Sequence, residues 1–119
     1  MAKILIVDDS RTSRKILKGI LEGEGYEIVG EATNGQEGYE KYIELKPDVV
    51  TMDITMPVLD GIEALKKIKA DHPEAKVVMV TAAGQKTKMV EAVQNGANEF
   101  VSKPFEPEQL KTIIDKVVG

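Results

Sequence analysis

The chain has 119 residues, 42% of them hydrophobic, and a formal net charge of −4 from 16 basic and 20 acidic side chains. That length supports one well-packed core and is short for two ordinary domains, and a mildly acidic balance without a long basic run disfavours direct nucleic-acid binding. With no cysteine, disulfides, thiolate chemistry and cysteine metal sites are excluded, and the single His72 cannot form a histidine cluster.

The chain opens MAKILIVDDS, and its apolar run Ile4–Val7 is far too short for a signal-peptide core or a membrane span, so a cytoplasmic protein without membrane insertion is expected. This run reads as the first strand. Ile16, Leu17, Ile20 and Leu21 then share one helical face, and Gly25 marks where that helix stops. Ile28–Val29 reads as the second strand and Tyr39, Tyr42 and Ile43 as the second helix. Gly38 is out of place there: glycine inside a helix costs about 1 kcal/mol relative to alanine, so this helix is expected to be the weakest. Val49–Met52, after Pro47, is the third strand, with Ile62, Leu65 and Ile68 on the third helix. Val77–Val80, after Pro73, is the fourth, followed by a helix carrying Met89, Val90 and Val93 and stopped by Gly96. Phe100–Val101 is the fifth strand, and Leu110, Ile113, Ile114, Val117 and Val118 recur at i, i+3, i+4, i+7 and i+8 along the last helix. Apolar strands alternating with helices imply an α/β fold, a parallel sheet covered on both faces. No repeat, linker or low-complexity tract interrupts residues 1–119, so one domain is expected.

In such sheets ligands bind beyond the carboxyl ends of the strands. Strand one ends in Asp8-Asp9, strand three in Asp53 and strand four in Thr81, while strand five is followed by Lys103-Pro104. Strand two ends in Glu31-Ala32-Thr33, which is left outside the site. Carboxylates gathered this closely repel one another, and a hard cation with oxygen ligands, Mg²⁺ with Mn²⁺ as a substitute, relieves that repulsion. Asp53 can then remain ionised and nucleophilic. Lys103 offers a point charge and Thr81 a hydroxyl donor to the oxygens of an incoming phosphoryl group, so the residues point to phosphoryl transfer onto the Asp53 carboxylate.

Singly, each residue has a plainer reading. Asp9 or Ser10 could cap the first helix, Thr81 could be an ordinary strand threonine, and Lys103 a solvated lysine held extended by Pro104. Their convergence on one sheet edge favours function. Arg11, Arg14 and Lys15 read as a solvated helix face, Met52, Met56, Met79 and Met89 as packing, and His72 as exposed and without a role.

From Lys3 to about Val118, on the stretches ILIVDD, TMDITMP, VTA and KPF, the sequence resembles the receiver domain of two-component response regulators. Among these it is most similar to the single-domain chemotaxis receivers, on EATNGQEGYEKY and TAAGQKTKMVEAVQNGANEFVSKPF. The resemblance implies a flavodoxin-like, doubly wound sheet of strand order 2-1-3-4-5 and no output domain. It implies Asp9 as a direct Mg²⁺ ligand, Asp8 acting through water, and Asp53 as phosphoacceptor and ligand, with the Thr55 backbone carbonyl as a further ligand. Thr81 would bind the phosphoryl group and Lys103 pair with it, ahead of a cis peptide at Pro104. Phe100 would be the switch aromatic that turns inward with Thr81, and Thr55 and Ala83 hold the positions that tune decay of the aspartyl phosphate. The implied partners are a sensor histidine kinase, CheA-like in chemotaxis, a flagellar motor switch protein or another downstream protein, and a CheC- or CheX-type phosphatase; a monomer is expected. A receiver in a non-chemotaxis phosphorelay is the second reading.

Other classes fit less well. An aspartate-nucleophile phosphatase would carry a second acid two residues after Asp53, where Thr55 stands, so no enzyme is expected beyond self-phosphorylation and self-dephosphorylation. An FMN carrier would need a hydroxyl-rich loop after strand one and aromatic rings, against DDSRTS and 4% aromatics. A receiver that is never phosphorylated is disfavoured because every expected site residue is present.

Overall fold

The computed structural model describes residues 2–82 and 85–119. Its elements run β1 (Lys3–Val7), α1 (Arg11–Gly23), β2 (Glu27–Ala32), α2 (Gly35–Leu45), β3 (Val49–Asp53), α3 (Gly61–Asp71), β4 (Val77–Thr81), α4 (Lys86–Gln94), β5 (Glu99–Ser102) and α5 (Pro107–Val118). The strands form one parallel sheet in the order β2-β1-β3-β4-β5, as expected.

The inner strands are apolar along their length because both faces are covered. Alternate residues feed two cores. Leu5, Val7, Val50, Met52, Val77 and Met79 pack with the buried residues of α2, α3 and α4, whereas Ile4, Ile6, Val49, Val78 and Val80 pack against Leu17 and Leu21 of α1 and Leu110 and Ile114 of α5. Strand ends are set by hydrogen bonds rather than hydropathy, so β3 and β4 each continue one residue past their apolar runs and take in Asp53 and Thr81. At the sheet edge β2 extends well beyond Ile28–Val29, since an edge strand tolerates polar residues and only Ala32 in it is fully buried.

The helix punctuation follows the sequence. Gly25 and Gly96 adopt left-handed φ of +90° and +96° just past α1 and α4. Ser10, Asn34 and Asp60 cap α1, α2 and α3 by accepting from the amides of Ser13, Glu37 and Glu63. Ser10 therefore takes the capping role, and Asp9 is left free.

Gly38 has a packing reason. A Cβ there would lie 2.9 Å from both γ-carbons of Val7, so α2 can approach β1 this closely only with glycine. The thinly anchored helix is instead α4. Only Ala92 is buried in it, its N-cap residue Gln85 makes no capping bond, and Val90 and Val93 are each about half exposed. The apolar spacing of α4 is helical, but its stripe faces outward. His72 leans its ring on Tyr42, 5.3 Å between centroids, and so has a packing contact that the sequence did not suggest.

Thr51, fully buried in β3, has a hydroxyl with no hydrogen-bond partner among the described residues. Thr51→Val keeps the shape and removes the orphan, and is expected to raise unfolding stability by about 1 kcal/mol, read as a higher urea midpoint at unchanged m-value.

Candidate phosphoacceptor site

Strand register brings the site together. Val7 pairs with Met52, Asp53 with Val80 and Thr81 with Ser102, so Asp8, Asp53, Thr81 and Lys103 stand side by side across four adjacent strands. The connections from β1 and β3 leave in opposite directions along the sheet, which opens a crevice between those strands at their carboxyl ends.

Within it, carboxylate oxygens of Asp8, Asp9 and Asp53 lie within 4.8 Å of one another. Asp8 is 1% exposed; its Oδ1 accepts from the Ser10 amide at 2.8 Å, while its Oδ2 receives no hydrogen bond of proper geometry. The ammonium of Lys103 is 3.2 Å from that Oδ2 and 3.8 Å from Asp53 Oδ2, an ion-pair contact to both acids. Asp53, 7% exposed, accepts from the Ile54 amide at 3.1 Å. Its pKa is pushed up to about 6, chiefly by burial and then by the charge of Asp8; Lys103 and the Ile54 amide pull it down and Asp9 raises it further. One ammonium does not neutralise three carboxylates: Lys103 is shared between Asp8 and Asp53, and among the described residues the buried Asp8 Oδ2 receives no hydrogen bond. An all-oxygen donor set of this kind fits Mg²⁺.

Thr81 is buried, with its hydroxyl oxygen 3.4 Å from that of Ser102. The Lys103-Pro104 peptide is cis. Thr55 is exposed on the loop after Asp53, and its hydroxyl accepts from Gln85 Nε2 at 2.6 Å. Phe100, 38% exposed, lies outward, lining an apolar hollow of about 290 Å³ with Met89, Val90 and Val93 of α4. Ala83 lies outside the described residues.

Two residues at the site were not legible in the sequence. Arg14 is no solvated cation: its Nη1 donates to the Asp8 carbonyl at 2.8 Å and its Nε to Glu31 Oε1 at 3.1 Å, with 15% of the side chain exposed. The end of β2, left outside the site, thus holds Asp8 from behind, and the Asp8 amide also donates to the Ala32 carbonyl at 3.0 Å. Nothing in the spacing of Arg14 signals this, because only the fold sets β2 beside β1. Gly61, opening α3, donates to the Ile54 carbonyl at 2.7 Å, and a Cβ on it would lie 2.0 Å from the Asp53 carbonyl oxygen. The Asp-Gly pair at 60–61 was the available sign of a close backbone approach.

The sequence profile of the response regulator receiver domain matches residues 4–115. The chain belongs to that family. This receiver is 50% identical over 115 residues to the chemotaxis protein CheY of Thermotoga maritima, covering 97% of this chain and 96% of that protein. It is 47% identical over 117 residues to CheY of Bacillus subtilis, covering 98% of each. Among solved structures it is similar to the CheX–CheY–BeF3–Mg²⁺ complex from Borrelia burgdorferi, with TM-score 0.94 at 34% identity over 99% of this chain and 90% of that one. The receiver thus closely resembles a chemotaxis response regulator, and its strand order is the one for which flavodoxin and CheY are the type cases. Among the described residues no helix is long and apolar enough to cross a membrane.

Proposed function

We propose that this receiver accepts a phosphoryl group on Asp53 from a histidine kinase and signals through altered protein binding, in a chemotaxis system. The observation that carries this reading is the Lys103 ammonium set between Asp8 and Asp53, 3.2 and 3.8 Å from their carboxylates, with Thr81 on the strand beside Asp53. Asp8, Asp9, Asp53 and the Thr55 carbonyl would hold Mg²⁺, which when bound neutralises the acidic cluster and one phosphoryl oxygen.

The chain's own groups do the rest. An Asp53 carboxylate oxygen attacks phosphorus, and the bond to the donor's imidazole nitrogen breaks; a proton already carried on the other ring nitrogen lets the donor leave as neutral histidine, and an aspartyl phosphate remains. Lys103 stays beside the new charge, and the Thr81 hydroxyl donates to a phosphoryl oxygen in exchange for its long contact to Ser102. That movement makes room at β5, where Phe100 turns inward and changes the face formed with α4 and α5. Water later hydrolyses the acyl phosphate, and Thr55 and Ala83 tune the rate. The receiver turns over no external substrate beyond its own phosphorylation and hydrolysis.

The relatives named CheY favour chemotaxis over another phosphorelay. A cytoplasmic CheA-like kinase, a flagellar motor switch protein and a CheX- or CheC-type phosphatase follow as partners, the last supported by the similarity to the CheX–CheY complex. With Mg²⁺ and acetyl phosphate, one phosphoryl group per chain is expected by mass spectrometry, none with EDTA, and borohydride trapping is expected to place it on Asp53. A label elsewhere, or one indifferent to EDTA, overturns the assignment.

A further inference from the structure

Gln85 bridges two loops of the site. Its Oε1 accepts from the Ala82 amide at 2.9 Å while its Nε2 donates to the Thr55 hydroxyl at 2.6 Å. The direction of the Ala82 amide is set by the strand geometry. The Val80 carbonyl accepts from Ile54, just past β3, and the Thr81 carbonyl from Lys103, just past β5. By alternation the next amide, that of Ala82, turns back toward β3. There β3 has already ended at Asp53, which pairs with Val80, so no strand carbonyl remains to receive it. The backbone therefore aims an N–H past the end of β3, the strand that closes with Asp53, and a side-chain oxygen occupies it.

We propose that Gln85 is a positioning residue that stands in for the phosphoryl group: its carboxamide oxygen holds the Ala82 amide until a phosphoryl oxygen on Asp53 takes it, which rests on the reading of Asp53 as phosphoacceptor. The exchange has a mechanical consequence. Gln85 is also the N-cap residue of α4, and its side chain makes no capping bond there because it is engaged across the site. When the phosphoryl oxygen takes the Ala82 amide, the carboxamide is released from Ala82 at the very start of α4, so occupancy of Asp53 changes what holds the first turn of that helix. The same displacement loosens the link to Thr55, on the loop that follows Asp53.

Removing an internal competitor strengthens ligand binding by about the net value of the hydrogen bond displaced, roughly two- to tenfold for a neutral one. Beryllofluoride with Mg²⁺ serves as the phosphoryl probe, titrated into the whole chain and followed by amide NMR. Gln85→Ala is expected to bind it roughly two- to tenfold more tightly than the parent. In the ligand-free protein the Ala82 amide proton is expected to move upfield in Gln85→Ala, while saturation with beryllofluoride brings it to the same position in both proteins. A side chain that merely braced the loop would also shift the free Ala82 proton when cut, but would weaken binding rather than strengthen it. Equal or weaker binding by Gln85→Ala, or an Ala82 proton that does not respond to the substitution, overturns the proposal. Asp53→Asn is titrated alongside: if it binds beryllofluoride like the parent, the Asp53 reading fails, whereas loss of binding there with no gain in Gln85→Ala defeats the Gln85 inference alone.

Discussion

Asp53→Asn is expected to abolish labelling by acetyl phosphate and, in metal-free buffer, to make the fold more stable above pH 6. The first effect comes from removing the carboxylate proposed as the nucleophile, for which the neighbours offer no equivalent: Asp8 is buried with one oxygen held by the Ser10 amide, and Asp9 is exposed. The second comes from the company Asp53 keeps. Its pKa rises from the ordinary 3.8 to about 6 because burial and the Asp8 charge oppose its ionisation. The folded state thus binds this proton more tightly than the unfolded chain. Asp53 therefore contributes stability below about pH 4, and that contribution is lost as pH rises to about 6. At neutral pH the penalty is on the order of 3 kcal/mol, which asparagine avoids. Urea unfolding in EDTA between pH 4 and 8 measures it: the parent is expected to weaken across that interval relative to Asp53→Asn, and parallel profiles would show that Asp53 ionises freely. Mg²⁺ is expected to stabilise the parent and to have much less effect on the variant.

Gly61→Ala is expected to destabilise the fold by about 3 kcal/mol or more and to slow phosphorylation, although residue 61 touches no phosphoryl group. A Cβ there would stand 2.0 Å from the Asp53 carbonyl oxygen and 2.9 Å from the Ile54 Cα, both backbone atoms that no rotamer change can move aside. Either α3 backs away and loses the 2.7 Å bond from the Gly61 amide to the Ile54 carbonyl, or the end of β3 shifts and carries the proposed phosphoacceptor, Asp53, with it. Positioning errors of this size are costly for transfer chemistry. Urea unfolding and the initial rate of acetyl phosphate labelling test the two arms, and a variant with parental stability and rate would show that the contact relaxes without consequence.

The fold was readable where burial alone decides structure. β1, β3 and β4 announce themselves as Val and Ile runs, and Asp8, Asp53, Thr81 and Lys103 could be found from the polar residues at or just beyond the carboxyl ends of the strands. Arg14 and Gln85 could not be found that way, since their partners lie 17 residues away at Glu31 and 30 at Thr55 and meet only through register and loop geometry. Gly38 looked like a defect because helix propensity is local, while the approach of α2 to Val7 is not. The apolar stripe of α4 was seen but not its direction: periodicity reports that one side differs from the other and is silent on which faces the core.

That stripe gives α4 a different thermodynamic standing from the rest of the molecule. With one buried side chain and no side-chain cap, α4 has little to hold it closed, so its amides are expected to exchange with solvent through local opening while those of β3 and β4 exchange only when the whole protein unfolds. An element so lightly held is repopulated by small free energies, of the size one displaced hydrogen bond or one docked partner side chain supplies.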